Sequence, residues 1–210
     1  MILQKPLRHC AVLSAAAVLA LAGCSDQAEG GESTSEDQTA LTELSGRLVE
    51  GDQPAYTAEY LIEGSEESVL VAVDPEAGTA AVVVGERPRL WAGEDPADLA
   101  VWLSQELEGI LPPEETVASW LSETAADPSA STEFSNTTLA GELADCVSVQ
   151  GSADSAVGAY EICVTTVGVI ASVSAKAGDT AYTAKLVNYD DGVDAAWLDE
   201  ITGQAETANQ

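Results

Sequence analysis

Two cysteines, Cys146 and Cys163, lie within two apolar-rich runs, residues 143–150 and 160–165, joined by a Gly/Ser/Ala-rich segment. This composition is typical of a hairpin loop, and setting the cysteines opposite each other gives one antiparallel register. One face of the ribbon is then apolar, with Val147 opposite Ile162, Val149 opposite Tyr160, and Val164 beside them. The other face is more polar and carries Cys146, Ser148, Gln150, Glu161, Cys163 and Thr165. A bridge between the cysteines would pin this register.

The N-terminal residues resemble a bacterial lipoprotein signal. Lys5 and Arg8 form a basic start, an apolar run follows over residues 11–21, and Leu21-Ala22-Gly23-Cys24 has the form of a lipobox. The apolar run is shorter than the roughly 20 residues that a membrane-spanning helix needs. The resemblance implies cleavage before Cys24, acyl chains on that cysteine and a lipid-anchored position on the extracytoplasmic face of the cell membrane. A plain secretory signal cleaved nearby is the alternative.

Export would place Cys146 and Cys163 in an oxidising compartment. In an oxidising compartment an even number of cysteines predicts a disulfide, here Cys146–Cys163, which would contribute about 3 kcal/mol by restricting the unfolded chain. A redox-active or metal-binding pair is the alternative, but there is no C-x-x-C spacing and no histidine after residue 23 to support it.

The charge excludes one class of function. The chain has 36 acidic and 7 basic residues and a net charge of -29, whereas nucleic-acid binding needs lysines and arginines against phosphates. Residues 24–39 are Gly-, Ser- and acid-rich, so we predict an acylated flexible tether there. A single domain over 40–203 and a disordered tail over 204–210 complete the predicted organisation, after a signal peptide over 1–23.

Hydrophobic periodicity predicts an α+β domain whose antiparallel sheet has helices covering one face. A Ser/Thr-rich loop is expected between the second central helix and the cysteine hairpin. The predicted strands, besides the two of that hairpin, are 56–62, 69–73, 79–84, 90–92, 167–174 and 181–189. The predicted helices are 41–49, a segment from Asp95 to a stop at Pro112–Pro113, 114–124, and 194–201, and Trp102 and Trp120 are expected in the core.

This layout resembles known lipoproteins. The opening Tyr-x-Ala-x-Tyr strand and the Ala144-Asp145-Cys146-Val147 run answered by Ile162-Cys163-Val164 are similar to actinobacterial lipoproteins of the LolA/LolB and LppX/LprG-like superfamily. The resemblance implies a strongly curved half-barrel sheet and covering helices that enclose an apolar cavity. It carries no individual cavity residue over to this chain.

Motifs for catalysis are missing from the sequence. The part after residue 23 has no histidine to act as a base, and there is no G-x-S-x-G, H-E-x-x-H or P-loop pattern. We therefore predict no enzyme activity and no cofactor. Asp190, Asp191 and Asp194 surround Gly192 and are candidate calcium ligands, but their spacing departs from the EF-hand pattern, and a solvated turn is the alternative.

Two functions remain. The first is a non-enzymatic carrier of a lipid or other apolar envelope molecule, held between sheet and helices. The second is a surface interaction module with a filled core, whose acidic exterior meets a cationic partner. The acidity can also serve solubility or adaptation to salt.

The lipid anchor can be tested directly. Wild-type protein expressed in its host should incorporate a labelled fatty acid, and the Cys24→Ala variant should not, because the thioether needs the sulfur of Cys24. Gel fluorography of labelled cells is the measurement. Equal labelling of both proteins, or an intact mass that still includes residues 1–23, would contradict the anchor.

Overall fold

The computed structural model describes residues 35–49, 54–65, 67–151 and 157–208, with side chains to residue 203. The predicted signal peptide, the lipobox residues Leu21, Ala22 and Gly23, and the anchor Cys24 lie outside these residues. No helix within the described ranges combines the length and the apolar character that crossing a bilayer requires.

In these ranges the chain forms four helices and nine strands. The helices are α1 (Ser35–Val49), α2 (Pro96–Glu106), α3 (Glu114–Ala126) and α4 (Ala195–Ala208). The strands are β1 (Tyr56–Ile62), β2 (Ser68–Asp74), β3 (Thr79–Val84), β4 (Arg87–Ala92), β5 (Ser131–Leu139), β6 (Glu142–Gln150), β7 (Ala159–Thr165), β8 (Ile170–Ala177) and β9 (Thr180–Asp191). All nine strands belong to one open antiparallel sheet in the order β4-β3-β2-β1-β9-β8-β7-β6-β5.

The sheet is strongly curved. Strands β5 and β9 lie four positions apart in the sheet, which would separate them by roughly 19 Å if the sheet were flat. Instead, Cα atoms of β5 approach those of β9 within 8 Å. The β5 side of the sheet therefore curls around, although the sheet does not close. An α+β architecture with a curved antiparallel sheet is confirmed.

The main core fills the concave side of the sheet. Helices α1 and α3 pack against each other there through buried leucines and a valine. They meet the apolar face of the cysteine hairpin, so that both layers contribute to one cluster. The fully or almost fully buried side chains of that contact are Leu41, Leu44, Leu48, Val117, Leu121, Val147, Ile162 and Val164.

The prediction that helices cover only one face is wrong. Helix α4 packs on the convex face, where Trp197, Leu198 and Ile201 form a second apolar cluster with β2, β3 and β4. The physical reason is that β2 and β3 are apolar on both faces. Their convex-side residues, which include Ala72 and Ala81, need a cover of their own.

The Ser/Thr-rich segment predicted as a loop forms strand β5, so that prediction is also wrong. It pairs with β6 along nine consecutive residues, from Ser131 opposite Gln150 to Leu139 opposite Glu142. Threonines favour extended backbone, but an edge strand that is largely exposed on both faces shows little hydrophobic alternation. The sequence pattern therefore hid it.

Three helix boundaries also differ from the prediction. Helix α1 begins at Ser35, inside the predicted tether, because Glu36 and Asp37 favour a helix N-terminus and Leu41 anchors the first turns in the core. Helix α4 continues to Ala208, into the predicted tail. Helix α2 stops at Glu106 and is followed by turns that contain Gly109 at φ 75°.

The cysteine hairpin follows its predicted register. Cys146 lies opposite Cys163, Val147 opposite Ile162 and Val149 opposite Tyr160, and the disulfide is formed. The bridge does lie on the more polar face, where Ser148 is half-buried and Glu161 is exposed. Both cysteines are nevertheless buried, because flanking strands β5 and β8 continue the sheet on either side.

One glycine fixes how α1 sits on the sheet. Gly168, in the β7–β8 turn, has φ 88°, and a Cβ built on it would lie 2.5 Å from the carbonyl oxygen of Arg47 at the C-terminal end of α1. The same arginine donates a hydrogen bond to Asp145 of β6 at 2.6 Å. The end of α1 is thus held between a turn that admits only glycine and an ion pair.

Gly168→Ala should lower the free energy of unfolding by about 3 kcal/mol, since it adds a backbone clash to the strain of a positive φ. Gly141→Ala is the matched control, because Gly141 also has φ 88° but nothing lies within 4 Å of the added Cβ. It should cost only about 1 kcal/mol. Urea unfolding followed by tryptophan fluorescence measures both. Equal losses would show that α1 does not press on this turn.

Candidate functional site

The space between the sheet and the helices is the first place to look for a ligand site. A small cavity of about 100 Å³ lies there, between β1, β2 and β8 on one side and the α2–α3 region on the other. Its lining is mainly apolar, with two tyrosines and two glutamates as the larger polar groups. The lining residues are Tyr56, Tyr60, Val71, Ala100, Leu103, Ser104, Leu107, Leu111, Pro112, Pro113, Glu114, Glu115 and Ile170.

Local sequence explains how the α2 and α3 walls are placed. Asp95 caps α2 by accepting a hydrogen bond from the N–H of Ala97 at 2.9 Å, and Pro96 follows as the first helical residue. The Nε atom of Arg89 in β4 lies 3.7 Å from the carboxylate oxygen Oε2 of Glu106 at the end of α2. Pro113 then starts α3 without a side-chain cap. Pro112 and Pro113, which lie between the two helices, line the cavity.

The cavity tyrosines are kept neutral. Burial raises the pKa of Tyr56 and of Tyr60 well above the usual value of 10.0, and the nearby carboxylate of Glu114 adds to the effect. Tyr56 also stacks on Tyr189, with ring centroids 6.2 Å apart. Neutral buried phenols serve as hydrogen-bonding groups of a packed core, not as bases.

A second aromatic group closes the core under α3. Trp120 is buried and lies 6.1 Å from Tyr160 and 6.3 Å from Tyr182, measured between ring centroids. The Tyr160 hydroxyl is 2.7 Å from the hydroxyl of Thr124 and donates to the carbonyl of Trp120 at 3.2 Å. This confirms the prediction that Trp120 belongs to the core, and Trp102 packs half-buried at its margin.

The three aspartates predicted as candidate calcium ligands do not converge on one point. Asp190 and Asp191 are consecutive in β9, so their side chains point to opposite faces of the sheet. Asp194 accepts hydrogen bonds from the N–H groups of Ala196 and Trp197 at the start of α4. Across the described residues, no three His, Cys, Asp or Glu side chains are grouped so that they could hold a metal ion.

The outer edge of β5 is a site that the sequence prediction missed. A groove of about 310 Å³ runs between this strand and α1, and its floor includes the chain's one phenylalanine. Its lining residues are Ala40, Glu43, Leu44, Arg47, Phe134, Ser135, Asn136 and Asp145. The signal in the sequence was the run of threonines around Phe134, which favours a strand.

The surface around these sites is acidic. In the described ranges only three ion pairs form, and they use Arg47, with Glu43 and Asp145, and Arg89, with Glu106. The sequence has 36 acidic residues and 7 basic ones, so acidic side chains greatly outnumber the basic side chains that could neutralise them. The domain presents a negative potential to any approaching molecule.

Comparisons with known proteins assign no family. No family model and no curated protein matches the chain. Among solved structures it is similar to MucB (16% identity, TM-score 0.40, 76% of this chain). It is also similar to MucB in complex with MucA(peri) (16%, 0.35, 73%) and to the MucA/MucB complex of Pseudomonas aeruginosa (15%, 0.38, 76%). The chain spans only 62%, 56% and 60% of those chains, respectively. At these values the LolA/LppX-like family stays a prediction.

The buried tyrosines predict alkaline sensitivity. Their pKa values are raised in the folded state, to about 12 for Tyr160 and higher for Tyr60, so folding binds protons above pH 10. Stability should be constant below that pH and fall as the pH rises toward 12. In Tyr60→Phe the slope above pH 10 should be smaller by about 1.4 kcal/mol per pH unit. Urea midpoints measured from pH 8 to 11.5 test this; identical slopes for both proteins would contradict it.

Proposed function

We propose that this chain is a lipid-anchored, extracytoplasmic and non-enzymatic interaction module that binds a cationic protein partner at its surface. The observation that carries the proposal is the filled concave side of the sheet. The cavity there has about 100 Å³, whereas pockets for small molecules usually have about 300–1,000 Å³. An acyl chain would not fit without displacing α2 or α3.

The packing beside the cavity argues against such displacement. Helix α3 is fixed to the sheet by the Thr124–Tyr160 hydrogen bond and by the buried Leu121. It is fixed to α1 by the hydroxyl of Ser45, which donates to the carbonyl of Ala118 at 3.1 Å. Opening the core would break buried hydrogen bonds as well as apolar contacts, each of which stabilises the fold. The surface is therefore the better place for binding.

The charge indicates what kind of molecule the surface accepts. Its excess of carboxylates attracts polycations from a distance and repels nucleic acids and anionic headgroups. A basic protein or a basic segment of one is the partner that fits this field. The proposed anchor on Cys24 would place the module where such a partner can reach it.

The lipid-carrier hypothesis and this proposal predict different results for one preparation. The full chain, purified in detergent from the membranes of its own host, should carry no lipid besides its covalent acyl chains, as seen by mass spectrometry after extraction. It should retain basic envelope proteins that elute as salt rises from about 50 to 500 mM, because screening weakens exposed charge pairs.

A non-covalent lipid at about one per chain would overturn the proposal in favour of the carrier. Retention of no protein whose elution depends on salt would contradict a cationic partner. Acidic and neutral envelope proteins of the same extract serve as the internal control, since they should appear in the flow-through.

A further inference from the structure

Strand β5 is one of the two edges of the sheet, and part of it approaches β9 within 8 Å where the sheet curls. It pairs on one side with β6 along all nine residues, without a register shift. Within the described part of the chain, none of its backbone groups bonds to a turn, a loop or a helix on the other side. An edge of this length is a template for another strand.

In an antiparallel sheet, hydrogen-bonded and non-hydrogen-bonded residue pairs alternate along each strand. This alternation shows which backbone N–H and C=O groups of β5 point away from the sheet. The Cα atoms of Cys146 and Cys163 are 4.0 Å apart, the short spacing of a pair that does not exchange backbone hydrogen bonds. The backbone groups of Cys146 therefore face β5 and bond to Ser135. In β5 the alternate residues direct their N–H and C=O groups away from the sheet; these are Thr132, Phe134, Asn136 and Thr138.

Strand β4, at the opposite edge of the sheet, carries features that block pairing with another strand, and β5 has fewer of them. Strand β4 has six residues, carries Pro88 with no N–H, and exposes Arg87 and Arg89. Such charges and prolines block the addition of another strand. Strand β5 contains no proline, lysine or arginine, and its one charged residue is Glu133. Among the described residues, the β5 edge therefore lacks the blocking features of β4 along the part that lies away from β9.

The groove between α1 and β5 would receive alternate side chains of an added strand. Its apolar part is formed by Leu44 and the half-buried Phe134. Its charged part holds two carboxylates, Glu43 and Asp145, against the single guanidinium of Arg47, which is already paired with both. With Glu133 exposed on the strand itself, the surroundings of this edge are net negative.

We propose that the β5 edge binds an extended, basic segment of a partner protein as a tenth strand, with alternate side chains seated in the groove beside α1. This rests on the proposed function and names its docking surface and the form of its partner. Backbone hydrogen bonds would hold the segment, and lysines or arginines in it would meet the carboxylates. A second copy of this chain fits poorly, since two acidic edges repel each other.

The test uses the full chain in detergent and a fluorescent eight-residue peptide of alternating lysine and valine. Fluorescence anisotropy at about 50 mM salt should show binding, whereas a glutamate–valine peptide should not bind. Methylation of the peptide's valine nitrogens should weaken binding about tenfold, since it removes backbone donors while keeping every charge.

Two variants locate the site. Asn136→Pro removes one outward N–H and should weaken binding about tenfold. Its matched control Asn136→Ala keeps that N–H and removes only the side-chain amide that lines the groove, so it should weaken binding by less than about threefold. Glu133→Lys should also weaken binding, and it tests the edge independently if proline disturbs the strand. Near-ultraviolet circular dichroism verifies that each variant is folded.

The outcomes separate this inference from the function on which it rests. If the peptide binds equally well when methylated, or if Asn136→Pro and Glu133→Lys both bind it like wild type, the edge is not the docking site. A cationic partner held elsewhere would still satisfy the pull-down from envelope extracts. If the lysine–valine peptide does not bind at all, the edge inference is wrong, and the pull-down alone decides the proposed function.

Discussion

The packing of α1 and α3 into the curved sheet is the interaction on which the rest of the structure depends. Leu41, Leu44 and Leu121 are almost completely buried between the helices and the cysteine hairpin, and burial of each leucine contributes about 1.5–3 kcal/mol. Ser45 of α1 and Ala118 of α3 are small residues. Where they meet, the helices are close enough for the Ser45 hydroxyl to donate a hydrogen bond to the Ala118 carbonyl oxygen. Because this layer fills the concave side, only a cavity of about 100 Å³ remains between the sheet and the helices.

Sequence reasoning succeeded where residues face two different environments. Strand β1 and the cysteine hairpin alternate between buried and more polar residues, so this pattern predicted the limits of the strand and the register of the hairpin. It failed where that contrast is weak. Strand β5 is exposed on most of its length, and the sheet near Ala72 is buried on both faces, so neither pattern revealed a strand edge or the need for α4 on the convex side. The position of β5 at the edge of the sheet depends on the order of the strands in space, and hydrophobic periodicity along the chain does not reveal that order.

Acidity and the limited set of ion pairs belong together. The guanidinium of Arg47 pairs with both Glu43 and Asp145, while the backbone carbonyl of the same residue is the group that lies against Gly168. In the described residues, Arg47 and Arg89 thus join helices to strands of the sheet. Such an acidic surface weakens the compact state by self-repulsion and opposes the close approach of a second acidic copy. The disulfide offsets part of that cost by restricting the unfolded chain.

The two edges of the sheet then differ for a physical reason. An open edge is a hazard because any chain with a similar edge can pair with it. At β4 the hazard is removed by Pro88 and the flanking arginines. Strand β5 itself contains no proline and no basic side chain, yet the charge of the whole domain, together with Glu133, repels acidic copies of the same chain. Repulsion of this kind is selective, because it disfavours like-charged strands and not basic ones, so the same acidity would favour the proposed basic partner.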